Sequence, residues 1–245
     1  MAVSAQIFRG VASVDAWIRF MAPVAPQTAN ALIQAIDQRL ATGSTHLHLL
    51  ISSPGGSVFH GLSLHNFLRG LHVPVTTYNF GSVDSIGVVI FCAGSRRYCV
   101  PNARFHIHGV KFSFEGKVHF DEKALEEHLK LLKTDYTNIA RVIAATTDRT
   151  EKQVVTDMNK QTSLMPEQAV KYGLVHEIRS QLIPAQAGMT VIYEDASSFT
   201  YERPPLQTDL ADVEPMTAVK QGITTPVAES YTSTPCGFTG KVDSY

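Results

Sequence analysis

Apolar positions change their period repeatedly along this chain. Trp17 to Met21 forms a short apolar run of strand type, and Gln27 to Leu40 then sets Leu32, Ile33, Ile36 and Leu40 on one helical face. His46 to Ile51 is a second strand-like run, closed by the turn sequence Ser53-Pro54-Gly55-Gly56. A helical stripe follows at Val58, Phe59, Leu62 and Leu68, and Val75 to Phe80 predicts a third strand that enters Gly81-Ser82-Val83-Asp84-Ser85-Ile86-Gly87. Ile86 to Ala93 predicts an apolar helix, and Tyr98 to Val100 and Arg104 to His108 read as strands. Such alternation argues for an α/β fold with largely parallel pairing. Asp121 to Ala145 is the longest helical segment, with Leu125, Leu129, Leu132, Tyr136, Ile139 and Val142 at spacings of three and four. That length suits either an ordinary surface helix or one that packs on another subunit. Thr150 to Met158 and Pro166 to Lys171 predict two shorter helices, the second stopped by Gly173, and Leu174 to Ile178 returns to strand.

The pattern thins after residue 178. Six of the 12 prolines lie beyond it, in a Ser/Thr-rich stretch with 8 acidic and 4 basic residues. Residues 1–178 are therefore expected to form the domain and 179–245 an acidic tail of linker character, although Met189 to Tyr193 has the makings of a strand and Phe199 and Tyr201 could pin the segment down.

Composition narrows the function classes. With 44% hydrophobic and 18% charged residues the chain can bury a sizeable core, and a formal charge of −1 offers nucleic acid or an anionic membrane no electrostatic footprint. The apolar run Ile86 to Ala93 is far shorter than the roughly 20 residues of a membrane span, and the N-terminus lacks the basic and apolar regions of a signal peptide. Three scattered cysteines, Cys92, Cys99 and Cys236, fit reduced thiols and have no metal-ligand spacing. A cytoplasmic protein without metal or organic cofactor is expected.

Chemistry is suggested at three places, each with a plainer explanation beside it. Ser85 stands where a strand meets an apolar helix between Gly81 and Gly87, which suits a nucleophile and equally a helix N-cap. Ser53-Pro54-Gly55-Gly56 could expose a backbone N–H near Gly56 that, with that of Ile86, would hold an oxyanion, or it could be only a tight turn. His106 and His108, two apart on a strand, point to one face, so local pattern cannot choose between them as a base.

Taken in order, Ser-Pro-Gly-Gly, Gly-x-x-x-Ser-x-Gly with its apolar run and Ala-Gly, Pro-Asn-Ala-Arg-Phe-His-Ile-His, and Pro-Glu-Gln-Ala-Val-Lys-Tyr-Gly-Leu-Val resemble the proteolytic subunit of the Clp (caseinolytic) protease over Trp17 to Ile178. The resemblance implies a ClpP/crotonase-like spiral of ββα units with a protruding handle helix, here Asp121 to Ala145. It implies Ser85 as nucleophile, His108 as general base and the N–H groups of Gly56 and Ile86 as oxyanion donors. His106 falls where the family has an apolar residue and receives no role. The activity implied is that of a serine endopeptidase cleaving unfolded polypeptide inside a chamber of stacked homo-oligomeric rings, served by an AAA+ unfoldase. The segment Gly109 to Gly116 would offer substrate an edge strand.

Two positions and the N-terminal segment depart from the family pattern. Its catalytic aspartate is replaced by Gln161, which could still accept from His108 Nδ1–H but cannot stabilise an imidazolium as an anion would, and Asp157 is a substitute one helical turn earlier. Asp84 occupies a position that is small in the family, where it would either oppose an oxyanion or face solvent. Only 16 residues precede the first strand, fewer than the family's axial loop and first helix need. Gln161 and Asp84 leave a catalytically weak or silent ring subunit as an alternative. A crotonase-like acyl-CoA enzyme would share the fold and the oxyanion hole without needing Ser85.

Overall fold

The computed structural model describes residues 15–111 and 119–201. The chain divides into two units, Met1–Pro205 and Leu206–Tyr245, and every described residue belongs to the first.

Three strand-helix pairs build the centre. β1 (Asp15–Met21) leads to α1 (Pro26–Ala41), β2 (His46–Ser53) to α2 (Val58–Gly70), and β3 (Val75–Asp84) to α3 (Ile86–Phe91). β1 pairs with β2 and β2 with β3, all parallel, as connections through crossover helices require. Alternation along each strand separates two apolar faces. Ile18, Phe20, Leu47, Leu49 and Ile51 pack with Leu32 and Ile36 of α1 and Leu64 and Leu68 of α2. Trp17, Leu50 and Tyr78 form a separate cluster on the other face.

The third strand forks. Thr76 to Asn79 pair with β4 (Arg96–Cys99), whereas Ser82 to Asp84 pair with β5 (Arg104–Ile107). Asn79 is fully buried at the fork, where its Nδ2 donates to the Arg104 carbonyl (2.8 Å) and its Oδ1 accepts from Gly81 N–H (2.9 Å). Those bonds satisfy a polar side chain that would otherwise be costly to bury, and they steer β3 past the end of β4 toward Ser85.

β5 pairs antiparallel with β6 (Thr162–Leu164), while α4 (Glu122–Thr146), α5 (Glu151–Asn159) and α6 (Pro166–Lys171) complete the domain and β7 (Glu177–Ile178) pairs with β4. The α4 helix is divided by environment. Its C-terminal half buries Ile139, Ala140 and Ile143, and its N-terminal half exposes Leu125, Leu129 and Leu131. Arg97, 7% exposed, ties these parts together by donating to the carbonyls of Gly94, Thr146, Gly173 and Leu174.

The architecture is the mixed α/β one expected for a Clp-type fold, with local differences. β3 runs four residues beyond the expected Phe80, because pairing with β5 continues the ladder. The expected strand over Leu174 to Ile178 shrinks to Glu177–Ile178, since the N–H groups of Leu174 and Val175 turn back to the Ala169 carbonyl. The division expected after residue 178 falls inside the first unit: β8 (Met189–Ile192) pairs parallel with β1, and β9 (Ser198–Tyr201) antiparallel with β8. Met189 and Val191 explain this by burying themselves against Trp17, Leu50 and Tyr78. Residues 202–245 of the expected tail, and the N-terminal segment before Asp15, lie outside the described residues.

Candidate active site

Ser85 follows the last residue of β3 with φ 58° and ψ −128°. A non-glycine residue in that region stores about 1–3 kcal/mol of strain. Although it stands at the N-cap position of α3, its side chain makes no capping bond, so a cap does not account for a serine here. The conformation is held by its own N–H, which donates to the His106 carbonyl (2.8 Å), and by Gly55, where an added Cβ would lie 2.5 Å from Ser85 Cβ. Pro54-Gly55-Gly56 is thus more than turn chemistry, because it lets one backbone approach the serine of another.

Gly56 has φ 142°, and a Cβ there would run into the Val24 carbonyl oxygen. Val24 N–H donates to the Gly55 carbonyl (2.7 Å) and Val24 C=O accepts from Ser57 N–H (2.8 Å). Such a parallel bridge uses the groups flanking Gly56 and turns the N–H of Gly56 itself away from Val24. Ile86 opens α3, so its N–H has no intrahelical acceptor. Its side chain is seated against Gly61 of α2, where a Cβ would collide with it.

His108 lies just past β5. Its Nδ1 is 2.7 Å from the Gly109 carbonyl oxygen. A carbonyl can only accept, so Nδ1 carries the proton and Nε2 keeps the lone pair that a general base needs. His106 is engaged elsewhere, its Nδ1 2.9 Å from Ser163 Oγ. No hydrogen bond joins Ser85 Oγ to His108 among the described residues. Ser85, Ile86, Gly56 and His108 nevertheless line one cleft of about 260 Å³, whose apolar wall comes from Val58, Ile107, Ile139 and Ile143. Lys111 also lines it. The isoleucines of α4 carry no motif in the sequence, and only the packing of that helix reveals them as cleft residues.

Gln161 is exposed and left-handed, with φ 53°. It follows the C-cap of α5, and its N–H turns back to the Met158 carbonyl (3.2 Å), which is helix-terminating geometry. The β5–β6 register, extended by one residue from Ile107↔Thr162, would set it opposite His108, but the ladder ends there. It lines an adjoining cleft with Gly109 and Tyr136 that does not include His108. Asp157 is occupied as well, its Oδ2 accepting from Tyr172 Oη (2.7 Å). Asp84 follows neither of its two expected roles: Ser82 Oγ donates to Oδ1 and Arg104 Nη2 to Oδ2, both at 2.8 Å, in a separate cleft. The expected edge strand after His108 lies, beyond Lys111, mostly outside the described residues.

Two other groups of reactive side chains are structural. Asp15, His46 and His48 bring metal-type ligand atoms within 4.8 Å of one another. However, Trp17, His48 and His46 stack with centroids 4.0 and 4.2 Å apart and planes within 15°, so the in-plane lone pairs of the imidazoles run parallel and do not converge on one ion. Burial raises the Cys92 thiol to about 12 and that of Cys99 to about 11, leaving both protonated and unreactive.

Residues 6–181 match the family model described as Clp protease. Over 187 residues the chain is 30% identical to the "ATP-dependent Clp protease proteolytic subunit" of Deinococcus radiodurans, covering 72% of this chain and 90% of that protein.

Proposed function

The chain belongs to the Clp protease family and is a serine-type peptidase of the Clp proteolytic-subunit kind, and from that premise we propose that Ser85, His108, Gly56 and Ile86 form its catalytic apparatus. Ser85 Oγ attacks the scissile carbonyl carbon while His108 Nε2 removes its proton. The N–H groups of Gly56 and Ile86 receive the developing oxyanion, and the resulting imidazolium then protonates the leaving amine. Water repeats the sequence on the acyl-enzyme. The observation that carries this reading is the left-handed Ser85 packed on Gly55, a strained arrangement that a capping or structural serine would not need.

The wall of Val58, Ile139 and Ile143 supports a preference for an apolar side chain next to the scissile bond. Unfolded polypeptide is the substrate, cleaved within a chamber of stacked homo-oligomeric rings that α4 helps to join through Leu125, Leu129 and Leu131. The relative's name includes ATP dependence, which supports pairing with a separate AAA+ unfoldase. No described helix is long and apolar enough to cross a membrane, which is compatible with a cytoplasmic enzyme.

A second reading, a weakly active ring subunit, is favoured by the absence of a carboxylate bonded to His108 among the described residues. Intact mass after fluorophosphonate treatment separates the two. Stoichiometric labelling of wild type that disappears in Ser85→Ala supports the protease, and labelling that persists in Ser85→Ala removes Ser85 from the mechanism.

A further inference from the structure

We infer that the backbone carbonyl of Gly109, held in place by Tyr136 and Asn159, does the orienting work of the missing aspartate, so that Tyr136 is a positioning residue for His108 and Gln161 takes no part. The inference deepens the serine–histidine reading above and rests on it.

Three contacts lead from α5 through α4 to the base. His108 Nδ1–H donates to the Gly109 carbonyl at 2.7 Å, which selects the tautomer with Nε2 free. Gly109 is seated directly against Tyr136 of α4: a Cβ at this position would overlap the phenol oxygen and ring. Its φ lies outside the left-handed region, so close packing and not backbone conformation demands glycine. The Tyr136 hydroxyl is fixed in turn by donating to Asn159 Oδ1 at the end of α5 (3.0 Å). The hydroxyl therefore acts as a stop against which the Gly109 peptide rests, and α4 and α5 together set the direction of its carbonyl. Gln161 lies beyond this stop, in the cleft that also includes Tyr136 and Asn159.

A carbonyl dipole differs from a carboxylate in one testable respect. It fixes the tautomer and accepts from the imidazolium, but brings no net charge to stabilise that cation. Removing the Tyr136 hydroxyl frees the Gly109 peptide to rotate. Both tautomer selection and the bond to the imidazolium weaken, so kcat falls and the acid limb of the pH profile moves to lower pH.

The experiment measures kcat, KM and the pH dependence of kcat/KM on a fluorogenic peptide. The full-length wild type is compared with Ser85→Ala, Gln161→Ala, Tyr136→Phe, Gly109→Ala and the Gly109→Ala/Tyr136→Phe double variant, at matched oligomeric state. Gln161→Ala is expected to keep kcat within about twofold with an unmoved acid limb, and Tyr136→Phe to lose about tenfold or more in kcat with little change in KM. Gly109→Ala loses activity because the new methyl displaces the peptide. The double variant recovers at most to the level of Tyr136→Phe, because the closest colliding atom, the hydroxyl, is gone while the ring carbon behind it still lies 2.6 Å from the new methyl. If Gly109→Ala does not fold, Tyr136→Phe and Gln161→Ala still decide the matter.

Hydrolysis that survives in Ser85→Ala would overturn the serine–histidine reading and this inference with it. An inactive Ser85→Ala together with a loss of about tenfold in Gln161→Ala, or with Tyr136→Phe unchanged in both kcat and acid limb, overturns the inference alone.

Discussion

Replacing Gly56 by alanine tests the oxyanion hole through the backbone, where no side-chain function is removed. At φ 142° an alanine is strained by about 1–3 kcal/mol. Its Cβ also meets the Val24 carbonyl oxygen, so the bridge that holds this turn must open. The two hydrogen bonds at risk, Val24 N–H to Gly55 O and Ser57 N–H to Val24 O, are each worth about 0.5–1.5 kcal/mol. Stability should therefore fall by about 2–6 kcal/mol, enough to lower the thermal midpoint while leaving a folded protein at low temperature. The displaced N–H no longer meets the oxyanion, and loss of one such donor costs about 10² to 10³ in kcat. Gly87→Ala is the matched control, because its Cβ finds Val83 and Ser53 at 3.5–3.6 Å, ordinary contact distances, although it lies two residues from Ser85. Steady-state hydrolysis of a fluorogenic peptide well below the melting temperature, beside a thermal melt of each variant, separates catalysis from unfolding. A Gly56→Ala enzyme that keeps wild-type kcat would refute the assignment of its N–H as a donor.

Three further outcomes are expected. Burial, reinforced by His46 and opposed by Asp15, lowers His48 from 6.5 to about 4; the folded state therefore prefers it neutral, and the stability it confers is complete above pH 6.5 and lost as pH falls toward 4. That loss is about 3 kcal/mol at most, so denaturant midpoints should decline over this window in wild type and more gently in His48→Phe. Aspartates at Leu125 and Leu129 on the exposed half of α4 should lower the sedimentation coefficient toward single rings or subunits while the subunits stay folded; an unchanged assembly would exclude that face from the contact. Cys92 and Cys99, raised to about 12 and 11 by burial, should resist iodoacetamide at pH 8 in the native protein and react on unfolding, and rapid native alkylation would contradict their placement.

Much of this arrangement is legible in the order of residues, for identifiable reasons. Strand-helix alternation specifies parallel pairing, and the apolar stripes at Leu32 to Leu40 and at Val58, Leu62 and Leu68 are the faces that α1 and α2 bury, whereas Phe59 of the expected α2 stripe is 73% exposed. Ser85, Ile86 and Gly56 stand out because glycine-rich turns and a strand-to-helix junction leave local signatures, whereas His108 is told from His106 only by the family resemblance, and all four line one cleft. Long-range pairing is what such signatures omit. β6 has only three residues and exists because it pairs with β5, while β8, legible as a strand over Met189 to Tyr193, reveals its place beside β1 only in the folded chain. Asp84 shows the same limit at one side chain: its neutralising partner, Arg104, is 20 residues away and reaches it only because β5 joins the fork of β3.

The fork also explains why a chain with this departure at the third catalytic position can retain the remaining geometry. Ser85 is set by β3, its backbone clamp by the Gly55 turn after β2, and the carbonyl that receives its N–H by His106 of β5. None of these depends on residue 161. His108, one residue beyond β5, takes its ring orientation from its own neighbour, Gly109, and the register past Ile107 is open. Loss of the family's aspartate at position 161 therefore leaves the nucleophile and the oxyanion donors in place and removes a partner from the base alone. A carboxylate installed there by Gln161→Asp can help only by drawing the segment one further step along the β5–β6 ladder, to face His108. Any gain in rate would then be limited by the cost of unwinding the left-handed helix terminus, φ 53°, that holds residue 161 out of the ladder.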